Sequence, residues 1–195
     1  MIPIFEQGQG EGIGHSFDTF LTRFIAICEE HLKNGRAKAF AFILYDFHDS
    51  AIKQVLRSQG GFARLDRLAG HDLSVFYLHS DNKRQLNAFN DIFLHMFDIL
   101  PAQNLPFVLF FKLVDRDAVD VEIAELEQSN IMFAFDELYQ KMEDYIDKLK
   151  NDDTKNDHRS SKFLCLYQFV KKIAAEKFIE YLVTKLGEYA GRNLI

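Results

Sequence analysis

A proline at the head of an apolar run is the feature that most restricts how this chain can fold. Pro106 is followed by Phe-Val-Leu-Phe-Phe at residues 107–111, and Lys112 comes next. Because proline has no backbone N–H to give to a sheet, it is tolerated at the first residue of a strand but not in the middle of one. We therefore predict that Pro106 opens a buried strand over residues 107–114, at the kind of position where a cis X-Pro peptide is found.

Two further apolar runs predict strands in the centre of a sheet. The first predicted strand covers residues 37–47 around the run Ala-Phe-Ala-Phe-Ile-Leu-Tyr at residues 39–45, and the second covers residues 73–78, which read Leu-Ser-Val-Phe-Tyr-Leu. A strand that is apolar on both faces is covered by helices on both sides. A helical pattern that starts after Asp49 or Ser50 separates the two runs, and this spacing predicts a crossover unit with a parallel pair of strands.

Helices are predicted where apolar side chains recur at helical spacing. The predicted helices cover residues 17–32, 52–68, 81–100 and 130–149. Ser16 is expected to cap the first helix and Asn34-Gly35 to end it, and Gly60-Gly61 is where the second could break. The last helix follows a hairpin of strands at 107–114 and 118–123.

These segments resemble the thioredoxin family. Residues 42–47, Phe-Ile-Leu-Tyr-Asp-Phe, are similar to the strand that precedes the active-site helix of thioredoxins, and residues 73–78 are similar to the strand that follows it. Pro106 would be the cis-proline of that family, and the order of elements is similar from Ser16 to Lys150. The resemblance implies a thioredoxin-like three-layer α/β/α sandwich with a mixed sheet, βαβ followed by ββα, plus a long C-terminal helix.

The thiol pair that gives thioredoxins their chemistry is missing. Counted from Asp46 without a gap, the two family cysteines would fall at Ile52 and Val55. Cys28 and Cys165 stand elsewhere, each among apolar residues at helical spacing, where we expect buried thiols and no disulfide between them. Disulfide exchange needs one thiolate to attack and a second thiol to resolve the intermediate, so a dithiol oxidoreductase is excluded.

The chain divides into four segments. We expect residues 1–14 to be a flexible lead-in, because they carry alternating glycines without a packing pattern. Residues 15–150 form the thioredoxin-like domain, residues 151–162 a polar linker, and residues 163–195 a C-terminal helical appendage. The glycine run is not a phosphate-binding loop on this interpretation, since no strand precedes it and no lysine ends it.

The appendage has an apolar stripe that is too wide for a helix exposed to water. The residues expected at its interface are Phe163, Leu166, Tyr167, Val170, Ile173, Phe178, Tyr181 and Leu182. The helix could pack against its own domain, against a second copy in a homodimer, or against a different protein, and the polar linker lets it reach a neighbour.

Composition restricts the class of protein. The 195 residues are 48% apolar with 20 Phe, which supports a substantial core. The net charge is -6, without a basic cluster, so we predict no nucleic-acid partner. No apolar run reaches the ~20 residues that cross a bilayer, and the first residues lack the layout of a signal peptide. We therefore expect a cytoplasmic protein without a membrane partner.

A candidate groove follows from the end of the first central strand. In an open α/β sheet, sites lie at the carboxyl ends of strands, which here places His48, Asp49, Asn104 and Pro106 at one groove. His48 could act as a general base oriented by Asp46 or Asp49, but no nucleophile accompanies it. His48, His79 and His95 lie on separate elements without metal-ligand spacing, and we predict no metal and no cofactor.

Two functions remain. The first is a redox-inactive interaction or regulatory module, with a docking surface around Pro106 and the appendage used for self-assembly or partner docking. The alternative is an enzyme or a binder of small ligands or peptides that uses the groove near His48 and Pro106.

Overall fold

Six strands form one mixed sheet in the computed structural model of the protein, which describes residues 1–5, 15–97, 99, 105–114, 117–127 and 130–152. The strands are β1 (Ile2–Phe5), β2 (His15–Ser16), β3 (Ala39–Leu44), β4 (Leu73–His79), β5 (Phe107–Val114) and β6 (Asp117–Glu125). Their order across the sheet is β2-β1-β4-β3-β5-β6. The first four strands in this order are parallel, and β5 and β6 each run antiparallel to the preceding neighbour. The predicted α/β class with a mixed sheet is confirmed.

Five helices of the described chain cover both faces of the sheet. They are α1 (Phe17–Lys33), α2 (Ser50–Arg57), α3 (Gln59–Ala69), α4 (Lys83–Met96) and α5 (Ile131–Asp152). On one face, Phe20 of α1 and Phe93 of α4 pack on Phe42 of β3, with ring centroids 6.1 and 4.0 Å away. On the other face, Tyr145 of α5 stacks on Phe110 of β5 at 4.3 Å, and α2 and α3 pack beside α5. The sheet is therefore the middle of three layers.

Burial explains why the apolar runs became central strands. Every residue of β3 is 0% exposed, and residues 107–111 of β5 are at most 1% exposed. Successive side chains of a strand face opposite sides, so a strand covered on both faces has no polar face to show. The strands predicted at 73–78 and 107–114 are confirmed to within one residue, and the strand predicted at 37–47 is confirmed over its central residues, 39–44.

The start of α1 follows the predicted capping chemistry. Ser16 is the N-cap, and its Oγ accepts a hydrogen bond from the backbone N–H of Thr19 at 3.3 Å. Such a cap satisfies one of the N–H groups that the first helical turn leaves without a partner. The helix ends at Lys33, and Gly35 follows in a left-handed conformation with φ +62°, as expected of a glycine after a helix.

The prediction of a flexible lead-in is wrong for the first five residues. Strand β1 pairs in parallel with β4 on one side and with β2 on the other, and Ile4 is fully buried. The N-terminal ammonium group of Met1 forms an ion pair with Asp66 of α3. A four-residue strand is too short to show a period, and its stability comes from pairing with residues far along the chain. Residues 6–14 lie outside the described residues.

Other boundaries differ by a few residues. The break in the second predicted helix lies at Ser58 and not at Gly60-Gly61, because Ser58 is extended and its Oγ caps α3 through the N–H of Gly61. Helix α4 covers residues 83–96 instead of 81–100, and β6 covers 117–125 instead of 118–123. Helix α5 continues to Asp152, two residues into the predicted linker. The appendage predicted at 163–195 lies outside the described part of the chain.

Two glycines near α3 should respond oppositely to alanine. Gly70 ends α3 at φ +51° and ψ -125°, a backbone conformation that a Cβ disfavours, so Gly70→Ala should lower the free energy of unfolding by about 1–3 kcal/mol. Gly60 lies inside α3 with open space where an alanine Cβ would lie, so Gly60→Ala should raise it by about 0.5–1 kcal/mol. Urea unfolding of both variants measures the two effects. Equal losses in both would contradict the assignment of a special backbone conformation to Gly70 alone.

Candidate functional site

The last residue of β3 and the first residue of β5 lie side by side at one end of the sheet. Leu44, the last residue of β3, pairs with Phe107, the first residue of β5. Pro106 therefore lies beside the chain as it leaves β3, where it is buried and joined to the preceding residue by a cis peptide bond. Pro106 and the loop at residues 45–49 therefore lie at the same end of the sheet.

The loop after β3 is held by its own carboxylates. Asp46 Oδ1 accepts a hydrogen bond from the backbone N–H of His48 at 3.3 Å, and Asp49 Oδ2 accepts one from the backbone N–H of Asp46. Asp49 stands at the N-cap position of α2 but makes no capping hydrogen bond with its side chain. The His48 ring is exposed and meets the Phe47 ring edge-on at 5.6 Å. The contact of Asp46 with His48 thus runs through the backbone and not through the imidazole.

A cluster of charges ties α2 to the end of β4. Arg57 Nη2 lies 2.7 Å from Asp81 Oδ1 and 3.3 Å from the carbonyl oxygen of Ser80. Lys53 Nζ lies 3.8 Å from Asp81 Oδ1 and 4.3 Å from the centroid of the Phe47 ring. The hydrogen bond from Arg57, followed by the positive charges around it, holds the pKa of the Asp81 carboxyl below its usual value. No pattern in the sequence indicates this cluster, because Lys53 and Arg57 lie on α2 whereas Asp81 follows β4.

The pKa of Asp81 tests this geometry. Arg57→Gln should raise the pKa of Asp81 toward the ordinary value of 3.8, because the hydrogen bond and the nearest positive charge are lost. Since the folded-state pKa is the lower one, the pair stabilises the protein above the ordinary carboxyl pKa, and this contribution disappears as the pH falls through the folded-state value. NMR titration of the side-chain carboxyl measures the shift. Arg36→Gln, a change at an exposed arginine outside the cluster, should leave the pKa of Asp81 unchanged, and an unchanged value in Arg57→Gln would contradict the prediction.

The positions where the thioredoxin family carries its thiols are buried in this protein. Ile52 and Val55 of α2 are 0% and 1% exposed, so their side chains belong to the core. Cys28 of α1 is also fully buried, as predicted, and burial raises the pKa of its thiol well above the usual value. A protonated, inaccessible thiol is a poor nucleophile. Cys165 lies outside the described residues.

Some predicted site residues lie beyond what the structure describes. Asn104 of the candidate groove is one, and the predicted interface residues at 163–182 are the others. His79 of β4 lies near Phe5, with ring centroids 5.7 Å apart, and His95 is in the last turn of α4. Within the described ranges, no group of three or more His, Cys, Asp or Glu side chains has the geometry to hold a metal ion.

A second concave region lies between β6 and α5. It is a groove of about 770 Å³ whose walls are the last residues of β6 and one face of α5. It was not predicted from the sequence, although a signal existed. Glu137, Lys141, Asp144, Lys148 and Asn151 recur every three or four residues, which puts these polar side chains on one face of the helix. The groove itself depends on tertiary structure, because its other wall is the edge strand β6, which contributes Glu122 and Glu125.

Among the helices that the structure describes, none is long and apolar enough to cross a membrane. No protein-family model matches the chain, and no curated protein and no solved structure is significantly similar to it.

Proposed function

We propose that the protein is a redox-inactive interaction module with a thioredoxin-like fold. The order β4-β3-β5-β6 supports this fold, because the parallel pair of β3 and β4 is followed by the antiparallel pair of β5 and β6, as the βαβ and ββα units of the resemblance imply. The placement of α1 and α4 on one face and of α2, α3 and α5 on the other supports it as well. The order of elements also places Pro106 at the head of the strand next to the first crossover.

The observation that carries the non-redox part of the proposal is the burial of aliphatic side chains where thiols would be required. Ile52 and Val55 have no reactive atom, and Cys28 is enclosed in the core on the opposite face of the sheet. Thiol exchange needs an accessible thiolate. The proposed function is therefore binding at the protein surface and not thiol chemistry.

An exposed apolar patch at the start of α5 supports a docking surface on this protein. Ile131, Met132 and Phe133, at the start of α5, are 43%, 71% and 60% exposed. They follow Leu126, whose backbone N–H donates a hydrogen bond to the carbonyl oxygen of Pro106 at 3.0 Å. Three consecutive exposed apolar residues are uncommon on a folded domain unless they serve a function. This patch suits a protein partner better than a charged ligand.

The assembly part of the proposal is tested by the mass of the particle in solution. We propose that the stripe from Phe163 to Leu182 holds two copies together, so the full chain should scatter light as a dimer of 22.7 kDa chains. Tyr181→Asp puts a charge into the stripe and should convert the dimer to a monomer. Lys172→Asp, on the polar side of the same segment, should leave the dimer intact.

Two outcomes would count against this proposal. A wild-type protein that stays monomeric over the whole accessible concentration range would remove the dimer. If Tyr181→Asp changed nothing while His48→Ala abolished binding of a ligand or peptide, the alternative function would replace it, and the groove at His48 and Pro106 would be the functional site.

A further inference from the structure

The groove between β6 and α5 is strongly acidic. Six carboxylates line it against two lysines, Lys141 and Lys148; the carboxylates are Glu122, Glu125, Glu127, Glu137, Asp144 and Asp147. Lys148 is already engaged by Glu122, with Nζ 2.6 Å from Oε1. The Oε2 atom of Glu137 is buried and has no hydrogen-bond partner within the described chain. A concave surface with surplus negative charge favours a cationic occupant.

The wall that β6 contributes is an open sheet edge. In the sheet of the described residues, β6 is the last strand and pairs only with β5. The outer edge of such a strand carries N–H and C=O groups that an extended segment can pair with. Ile123 and Ala124 also line the groove and are partly buried, so the wall is not purely charged. The groove therefore suits an extended, basic segment.

The chain itself carries a basic segment shortly after the helix that lines the groove. Asn151 lines the groove, and α5 ends one residue later at Asp152. Residues 154–162 then contain Lys155, Arg159 and Lys162 against one acidic residue. From Asp153 to the end of the chain there are eight Lys and Arg against five Asp and Glu, although the whole chain has a net charge of -6. The charge of this part of the chain is thus opposite to that of the groove.

We propose that residues 154–162 fold back in cis and bind in the acidic groove between β6 and α5. The groove follows α5 from Glu137 to Asn151, about 21 Å at 1.5 Å per residue. Nine extended residues reach about 30 Å, which is enough to cover that length. Because the segment is covalently attached, its effective concentration is on the order of millimolar, so individually weak ion pairs are sufficient to hold it.

Tryptic cleavage of the full-length protein tests the proposal. Trypsin cuts after Lys155, Arg159 and Lys162, and cleavage follows the population of the open state when opening is fast. At about 20 mM salt these bonds should be cut roughly tenfold more slowly than at about 0.5 M, where ion pairs are screened. A synthetic peptide of residues 150–165 in the same tube corrects for the effect of salt on the protease.

Charge-neutralised variants identify the groove as the binding site. Glu125→Gln with Asp144→Asn removes two groove carboxylates and should abolish the protection at low salt. Asp136→Asn with Glu143→Gln removes two carboxylates of α5 that do not line the groove and should preserve it. Protection that is absent at low salt in the wild type, or lost equally in both double variants, would overturn the proposal.

Carbodiimide cross-linking identifies the occupant. A mixture of ¹⁵N-labelled and unlabelled protein is treated with a reagent that joins lysine amines to adjacent carboxylates, and the linked peptides are analysed by mass spectrometry. Cross-links from Lys155 or Lys162 to groove carboxylates within one isotope population support binding in cis. If all cross-links joined a labelled chain to an unlabelled chain, the proposal would be overturned in favour of binding by a second copy. If no cross-link reached a groove carboxylate, the proposal would be overturned as well. The stripe variant Tyr181→Asp keeps the cis links if the two proposals are independent.

Discussion

Replacing Phe42 with alanine is expected to lower the free energy of unfolding by about 3–5 kcal/mol, the range for a fully buried phenylalanine. Phe42 is 0% exposed and lies at the centre of an aromatic layer between the sheet and the two helices α1 and α4. Its ring centroid lies within 4.0–6.2 Å of the rings of Phe20, Phe24, Phe76, Phe89, Phe93, Phe97 and Phe111. Truncation to alanine leaves a cavity, and the surrounding rings are held by one another and cannot move in to fill it.

Urea unfolding followed by circular dichroism measures this loss, since the chain has no tryptophan to report by fluorescence. Phe133→Ala is the matched control, because that ring is 60% exposed and should change stability by less than about 0.5 kcal/mol. A loss below about 1 kcal/mol for Phe42→Ala would show that this ring does not lie at the centre of the core.

Ile4→Ala is expected to cost about 2–5 kcal/mol, although it changes a residue close to the start of the chain. Ile4 is 0% exposed and pairs with Leu78 of β4 and His15 of β2. Removing its side chain leaves a cavity beneath a strand that is only four residues long. The same unfolding experiment measures the effect.

The control for Ile4 is Ile2, on the same strand. Ile2 is only partly buried, so Ile2→Ala should cost clearly less than Ile4→Ala. If both variants were as stable as the wild type, the first residues would not be part of the sheet, and the flexible lead-in predicted from the glycine pattern would be the correct description.

The proposals assign different surfaces to different tasks. The apolar patch at Ile131–Phe133 and the stripe at 163–182 are proposed for docking and assembly, whereas the acidic groove is proposed to hold residues 154–162 of the same chain. The mass measurement and the cleavage experiment address these tasks separately, because one reports on a second copy and the other on contacts within one chain.

Local chemistry made several elements predictable. Ser16 caps α1 by accepting a hydrogen bond from a residue three positions ahead, and Gly35 follows the helix with a positive φ. Both depend on neighbours within a few residues, so the pattern is complete in the sequence. The break in the second helix was predicted at the wrong residues, and the reason was again local. Gly60-Gly61 disfavours a helix by composition, but Ser58 has the extended backbone and the hydroxyl that caps α3. Two helix breakers close together make the local pattern ambiguous.

The candidate site was predictable only in outline. His48 and Asp49 follow β3, and the pairing of Leu44 with Phe107 puts Pro106 at the same edge. The cluster of Lys53, Arg57 and Asp81 was not predicted, since charged residues separated by a whole strand and helix carry no common pattern.

The sequence alone determined the burial of the three strands β3, β4 and β5, because a strand that is apolar on both faces has no stable position except between two layers of helices. Tertiary structure alone decided that Ile2–Phe5 joins the sheet, that Arg57 meets Asp81, and that the polar face of α5 stands beside the edge of β6. In each of these cases the favourable contact joins residues far apart in the chain. Its free energy exists only after the chain has folded, so no local pattern could have revealed it.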